Sequence, residues 1–303
     1  MQHRIIAALA AAALGASASS GTLVFDGFAD TSLLVLNGAA NTVTTNDGVV
    51  LRVTPALGSQ SGSAFSSVTV NAATFSTKFI FRITEPGGTI FDCNTEAGAD
   101  GIVFVVQPVS SSIGGVGQGI GYAGISPSVG VEFDTWCNAA NNDPSSNHVG
   151  IDLNGNVNHG PGAPFTADVA ENFDNGELWY GWVDYDGTTL ELRISDINVQ
   201  PQQPIVTREV DIPTLFGQDT AYVGFTSGTG ADWGNHDIIY WEYDVFSPVC
   251  VGELNGDGYV DGADLGILLS NWGSDAEFYD LNGDDTTDGK DIGILLANWG
   301  PCP

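Results

Sequence analysis

The sequence predicts an antiparallel β-sandwich followed by a small module built on calcium-type loops. Three observations carry this. From residue 22 to 246, short runs rich in β-branched and aromatic residues repeat with period two between clusters of Gly, Asn, Asp and Ser. The same stretch is rich in the chain's 40 glycines and shows no long helical period. Beyond Pro248 the texture changes to a tandem repeat.

The elements follow in order. Met1 to Arg4 supply a cationic start, residues 5–14 an apolar run, and Ala16-Ser17-Ala18 a small-residue cleavage site. Residues 1–18 therefore read as a signal peptide, and the protein as secreted or extracellular, with the periplasm or a cell surface also open. A run of about ten apolar residues falls short of the roughly 20 that cross a bilayer, so no transmembrane segment is expected. Strands are expected at 49–53, 78–83, 102–106, 129–133 and 238–243, where Val, Ile, Phe, Tyr and Trp predominate. Asp186-Gly187, between the runs 182–185 and 190–194, marks a hairpin, because glycine tolerates the positive φ of a tight turn. Ser247-Pro248 is a short linker, which divides the chain into a sandwich at 22–247 and a module at 250–303.

Charge narrows the partners. Seven Lys and Arg against 37 Asp and Glu give a net charge of -30, which repels phosphate backbones and excludes nucleic acid. Hydrophobic residues at 43% are too many for a disordered acidic tail. Between Arg82 and Arg193 no Lys or Arg occurs, yet the stretch holds Asp100, Glu132, Asp134, Asp143 and Asp152. A buried carboxylate must be paired, protonated or metal-bound, and cationic side chains are scarce, so metals become the expectation.

One segment concentrates suitable ligands. On a strand, Glu132, Asp134, Trp136 and Asn138 share one face while Phe133 and Thr135 take the other. A second strand, reached through a loop at 139–147, would return Asp143 and His148 to the polar face. Oxygen ligands suit Ca²⁺, and one imidazole among carboxylates suits a borderline ion such as Mn²⁺, so two adjacent ions are expected.

In these residues the chain resembles the L-type (legume-type) lectins, which hold Mn²⁺ and Ca²⁺ side by side in an array of this spacing. The resemblance covers roughly 22–246 and implies a concanavalin A-like jelly roll. It implies that Glu132, Asp134, Asp143 and His148 bind Mn²⁺ or another transition metal. Asp134, the Trp136 carbonyl, Asn138 and Asp143 would bind Ca²⁺. It further implies a glycan site: Asp100 after a cis peptide, an N–H at Gly117 (or Gly119) of the glycine loop, the Asn138 amide, and Trp136 or Trp233 as a stacking face. Trp233 to His236 resemble the family's last specificity loop, ahead of a strand at 237–241. A Cys93–Cys137 bond would then brace two binding loops.

Catalysis is disfavoured. Related sandwich hydrolases need two carboxylates about 5 Å apart, carried on a strand as E-x-D-x-x-E or a near variant. The place of the second Glu falls on Cys137, and by the resemblance Glu132 and Asp134 would be committed to metal and unavailable as general acid. The rival from another class is a scaffold or adhesion protein that binds no sugar and acts through its tail.

In the tail, residues 253–258 recur at 280–285 and 265–273 at 292–300. Glu253, Asn255, Asp257, Tyr259 (carbonyl), Asp261 and Asp264 occupy positions 1, 3, 5, 7, 9 and 12 of an EF-hand-like Ca²⁺ loop. Asp280, Asn282, Asp284, Thr286 (carbonyl), Asp288 and Asp291 occupy them in the second. Asp285 stands where the first loop has Gly258, at a position that wants a left-handed backbone. Leu265, Ile267, Leu268, Leu269, Ile292, Ile294, Leu295 and Leu296 read as the module's core, and a Cys250–Cys302 bond would clamp its ends. The pair of loops, each followed by a helix, resembles a type I dockerin. That resemblance implies Ca²⁺-dependent attachment to a cohesin-like partner, although Gly262-Ala263 and Gly289-Lys290 replace the usual hydroxyl recognition pair.

Overall fold

The computed structural model describes residues 22–89, 97–112, 119–246, 249–276 and 278–302. One antiparallel sheet runs, in hydrogen-bonded order, β14 (Val206–Glu209), β13 (Thr189–Ser195), β12 (Trp179–Tyr185), β7 (Phe75–Gly87), β16 (Trp233–Asp244), β4 (Gly48–Thr54) and β3 (Asn41–Thr45), with β1 (Leu23–Asp26) also on β16. The other runs β11 (Thr166–Asp168), β10 (His148–Leu153), β9 (Val129–Asp134), β8 (Gly101–Gln107), β15 (Thr220–Gly228), β5 (Ser61–Ser66) and β2 (Leu34–Gly38), with β6 (Val70–Asn71) on β15. The expected runs all lie within strands: β4, β7, β8, β9 and β16. Asp186-Gly187 closes the β12–β13 hairpin, with Gly187 at φ +102°.

Alternation explains why two sheets stack. From Phe75 to Ile83 every second residue of β7 is buried, and Phe79 packs edge-on against Phe133 and Phe225 of the opposite sheet at 5.4 and 5.1 Å. Burying such rings is the main stabilising term of the sandwich, since each truncation to Ala costs about 3–5 kcal/mol. β8 and β9 are buried on both faces. Ile102, Phe104 and Val106 join the inter-sheet core, whereas Val103 and Val105 meet Ile120, Tyr122 and Ile125 of an overlying loop. Glu132 and Asp134 thus emerge from a strand held rigid on both sides.

Among the described residues helices are few and short: α1 (Ile212–Phe216) beside the sandwich, and α2 (Gly262–Ser270) and α3 (Gly289–Ala297) in the C-terminal unit, where β17 (Tyr259–Val260) pairs with β18 (Gly300–Pro301). Asp261 and Asp288 cap α2 and α3 in matching capping boxes with Asp264 and Asp291. Cys250 and Cys302 are bonded across a separation of 52 residues, a loop length for which chain entropy supplies about 4 kcal/mol. The unit's core is smaller than the sequence predicts. Leu268 and Leu295 are buried with Val260 and Leu281, and Leu265, Ile292 and Ile294 pack against them. Leu269 and Leu296 are instead about half exposed, as are Trp272 and Trp299. A nine-residue helix turns 100° per residue, so adjacent leucines cannot both face one small core. Gln203 Nε2 donates to the Leu281 carbonyl at 2.9 Å, and Gly252 N donates to Gln202 Oε1 at 3.2 Å, which seats the unit on the segment between β13 and β14.

Candidate metal centre and binding mouth

β9 and β10 pair with His148 opposite Asp134 and Gly150 opposite Glu132. Val131 and Phe133 enter the inter-sheet core, so Glu132 and Asp134 project from the other face. Gly150 makes room for this, because a Cβ there would meet Glu132 Oε1 at 2.6 Å. The connecting loop contains a 3-10 turn at Ala139–Asn141 and folds back on itself. Asn138 N donates to Asp143 Oδ2 at 2.5 Å, and Trp136 N donates to Asp134 Oδ1 at 2.6 Å. The polar face expected to continue through Trp136 and Asn138 therefore ends at Asp134. Beyond it the backbone turns toward the Asp134 carboxylate instead of a neighbouring strand, and Trp136 and Asn138 sit half-buried in the loop.

The fold gathers the expected ligands. Asp134, Asp143 and His148 offer ligand atoms within 4.8 Å of one another, and so do Glu132, His148 and His159. The sequence reading missed His159, which comes from the loop after β10. A single histidine in an Asn- and Gly-rich stretch carries no period or spacing to mark it. Both Glu132 oxygens, Asp143 Oδ1, His148 Nε2, His159 Nε2 and Asp152 Oδ2 are buried without a directed hydrogen bond among the described residues. His159 Nε2 lies 2.9 Å from Glu132 Oε1, but its N–H is not aimed at that oxygen.

Electrostatics express the same demand for a cation. Burial, then the charges of Glu132 and Asp143, hold Asp134 well above the carboxylate range, and burial with Glu132 pushes Asp152 up to about 8. Burial also works to raise Glu132, but His148 and His159 beside it outweigh this and hold it at about 2. Burial works to lower His159, yet Asp143, Asp152 and Glu132 raise it to about 12. Acids that crowd each other out of water and converge their lone pairs on one region, with amide and imidazole donors among them, fit bound divalent ions.

Asp100 abuts this centre. A cis peptide links Ala99 to Asp100. Asp100 N donates to the Gly228 carbonyl and its own carbonyl accepts from Thr135 N, both at 3.1 Å, while Gly101 pairs with Asp134. The residue is 4% exposed, and its Oδ2 has no hydrogen-bond partner among the described residues. Burial, then the Asp232 charge, pushes it up to about 7. Gly101 stands at φ +123°, and a Cβ there would lie 2.2 Å from the Phe133 carbonyl oxygen. Gly101→Ala is therefore expected to cost about 2–4 kcal/mol in urea unfolding and to misplace Asp100, weakening any ligand bound there.

A buried chain of hydroxyls supports this corner. Thr54 Oγ1 lies 2.7 Å from Ser227 Oγ and 2.8 Å from His236 Nδ1, and Ser227 donates to the Gly101 carbonyl at 2.7 Å. With the Ser227 proton spent on Gly101, Thr54 donates to Ser227 and accepts from His236 Nδ1–H. Burial, aided by Arg52, lowers His236 to about 3, so the ring is neutral. The expected loop at Trp233 to His236 is thus strand: β16 already begins at Trp233, opposite Gly87. The Trp233 ring lies over Gly87 and Gly58, whose missing Cβ atoms leave it space, and it remains partly exposed. A Cβ at Gly230, in the adjoining turn, would come within 3.7 Å of Asp100 Oδ2. Gly117 and Cys93 lie outside the described residues; Gly119 is described, and its carbonyl accepts from Tyr122 N and Ala123 N. Cys137 is disulfide-bonded.

In the C-terminal loops Glu253 Oε1 accepts from Asn255 N and Gly256 N, and Asp280 accepts from the backbone of Gly283, Asp284 and Asp285. Asn255 and Asp257, like Asn282 and Asp284, link side chain to side chain, and Lys290 pairs with Asp284. Asp264 and Asp291 are fully buried, each tying the start of its loop to the helix N-cap. Tyr259 is exposed in β17, and Asp261 and Asp288 are the N-caps. Asp285 adopts φ +62°, the left-handed conformation its position requires. Thr286 lies between Asp285 and the buried Thr287, whose N donates to the Ser274 carbonyl at 2.9 Å.

Two antiparallel sheets in a jelly roll, with acids and imidazoles converging beside a buried Asp at the sheet end, define a lectin-type sandwich. The family model described as legume lectin domain matches residues 20–249, and the chain belongs to that family, whose members are non-enzymatic carbohydrate-binding proteins that generally bind Ca²⁺ and Mn²⁺. Among curated relatives, the L-type lectin-domain containing receptor kinase VIII.1 of Arabidopsis thaliana is 31% identical over 202 residues, 65% of this chain. The match spans 26% of that relative, about a quarter of its length. Solved structures of similar fold include a winged bean acidic lectin complexed with methyl-α-D-galactose (TM-score 0.62, 23% identity, 75% of this chain and 99% of that one). A lectin from Bauhinia forficata in complex with GalNAc is similar too (TM-score 0.61, 21% identity, 75% and 98%).

Proposed function

We propose that this chain is a secreted, Ca²⁺- and transition-metal-dependent glycan-binding lectin whose C-terminal unit is a dockerin-like Ca²⁺ module. The observation that carries the reading is the set of buried ligand atoms on Glu132, Asp143 and His148 that make no directed hydrogen bond among the described residues, gathered where Gly101, next to Asp100, pairs with Asp134. Glu132, Asp134, Asp143 and His148 hold the transition metal, Mn²⁺ by family habit. Asp134, the Trp136 carbonyl, Asn138 and Asp143 hold Ca²⁺. When bound, the ions supply positive charge that fixes the loop from Trp136 to Asp143 and lets its acids ionise. Asp100 accepts from sugar hydroxyls, the Asn138 amide and a glycine-loop N–H donate, and Trp136 or Trp233 packs against the C–H face of the ring.

The first 18 residues direct the chain out of the cell. The repeated acids at 253–264 and 280–291 bind Ca²⁺, and the exposed Leu269, Trp272, Leu296 and Trp299 supply an apolar surface for a cohesin-like partner. Galactose and GalNAc, held by the two similar lectins, are the sugars to try first. A glycan array run with and without chelator is the test. Glycan binding that vanishes on chelation and returns with added Ca²⁺ and Mn²⁺ is expected. Binding to no glycan in fully metal-loaded protein would leave the scaffold reading, in which the apolar tail makes the functional contact.

A further inference from the structure

We propose that His159 is a second imidazole ligand at the transition-metal position, which gives that position the donor set of a Zn²⁺-, Co²⁺- or Ni²⁺-type site. The inference rests on the metal-pair reading above and adds to it a residue outside the expected ligand set.

Three observations carry it. First, the distances suit a shared ion. His159 Nε2 lies 2.9 Å from Glu132 Oε1 and 3.4 Å from Asp143 Oδ1, and His148 Nε2 lies 3.3 Å from the same Glu132 oxygen. Donors placed about 2.0–2.2 Å from one ion sit about 2.8–3.6 Å apart, whether the geometry is octahedral or tetrahedral. Secondly, the ring is buried and undirected. The His159 side chain is 3% exposed, and its Nε2 makes no directed hydrogen bond. The two imidazoles meet nearly at right angles, with centroids 5.4 Å apart, so both Nε2 atoms reach the Glu132 carboxylate without stacking. Thirdly, each ring has an acceptor behind it. His148 Nδ1 is 3.0 Å from the Ser145 carbonyl, and His159 Nδ1 is 3.6 Å from Asp152 Oδ1. The Ser145 carbonyl holds the His148 Nδ1 proton and leaves the Nε2 lone pair for a metal, and Asp152 faces the back of the His159 ring at a distance longer than a hydrogen bond.

The loop carrying His159 is built onto the metal loop. His159 N donates to the Asn141 carbonyl at 2.9 Å, Asn158 Nδ2 donates to the Ala140 carbonyl at 3.1 Å, and Asn142 Nδ2 donates to Asn158 Oδ1 at 2.8 Å. Two imidazoles with carboxylates form a softer set than one imidazole with carboxylates. Nitrogen donors raise the affinity for Zn²⁺, Co²⁺ and Ni²⁺ more than for Mn²⁺. The alternative is that His159 is only an imidazolium paired with the acids around it.

Metal-stripped full-length protein is equilibrated with Ca²⁺ and equal concentrations of MnCl₂ and ZnCl₂, and bound metal is counted by elemental analysis. The comparison is between wild type, His159→Ala and His159→Gln, with X-ray absorption on the Zn²⁺-loaded forms. Two imidazoles are expected around Zn²⁺ in the wild type and one in the variants, and the Zn²⁺-over-Mn²⁺ preference is expected to fall about tenfold or more on either substitution. One imidazole in the wild type and an unchanged preference would overturn the assignment while leaving the metal pair intact. No bound metal in any form would overturn both. The wild-type absorption spectrum decides the matter even if a variant folds poorly.

Discussion

Asp100→Ala is expected to weaken glycan binding at least about 100-fold while leaving the protein as stable as before, or more so. An ionised carboxylate that accepts from two sugar hydroxyls makes hydrogen bonds of about 1.5–3 kcal/mol each, and losing both converts to two or more powers of ten in affinity. The stability half of the result follows from where the group sits. Asp100 is 4% exposed and has an oxygen with no partner among the described residues; burial and then the Asp232 charge push it up to about 7. Removing it relieves a desolvation cost and deletes no hydrogen bond made by Oδ2. Calorimetric titration with the best-bound glycan, paired with a thermal melt at pH 7.5, reads both halves. Retained affinity would sink the assignment of Asp100 to the sugar. Lost affinity together with a large drop in melting temperature would make the residue structural instead.

Stripping the metals is expected to lower the melting temperature by about 10 °C or more at pH 8 and by much less near pH 5. Two ions held at about 100 times their dissociation constants add about 2.7 kcal/mol each, and a domain of this size shifts about 2–4 °C per kcal/mol. The pH dependence comes from the buried acids. Asp100 and Asp152 are raised to about 7 and about 8, so between pH 4 and 8 the folded chain binds more protons than the unfolded one, and metal-free stability falls as pH rises. His159, raised to about 12, acts in the same direction: its contribution is complete below pH 6.5 and drains away above it. Glu132, held at about 2, contributes stability that is lost only as pH falls from 4.5 through 2, below this window. The ions bind the deprotonated groups, so their stabilisation grows with pH and offsets the loss. Melting curves at pH 5 and 8, with and without chelator, give the four numbers needed. A chelator effect equal at both pH values would contradict this account.

Much of the sandwich is legible because its code is local. The period-two runs need only neighbouring residues to declare a strand, and all five predicted runs lie within strands. The repeat at 253–300 is likewise visible without a structure. The candidate ligands Glu132, Asp134, Asp143 and His148 lie within 17 residues, on two adjacent strands and their loop, so spacing alone brings them together. Local reading failed where a side chain's role depends on the next element. The strand that seemed able to run through Asn138 stops at Asp134, because the Asp134 carboxylate captures the Trp136 N–H. Leu269 and Leu296 looked like core but face outward, because the small core reaches only one side of each helix.

The remaining features arise from contacts made at long range. Thr54, Ser227 and His236 converge on the Gly101 carbonyl because β4, β15 and β16 come together at one end of the sandwich, 173 and 182 residues apart along the chain. His159 becomes buried against Glu132 because its loop folds onto the 3-10 turn after Asn138. Backbone preference and side-chain alternation are properties of a few consecutive residues, so this chain writes its strands, its repeat and its main cluster of candidate ligands openly. Strand register and loop packing are set by the whole molecule at once. Those longer contacts bring a second imidazole to the candidate metal centre, place Asp100 near it, and choose which leucines of the tail meet water.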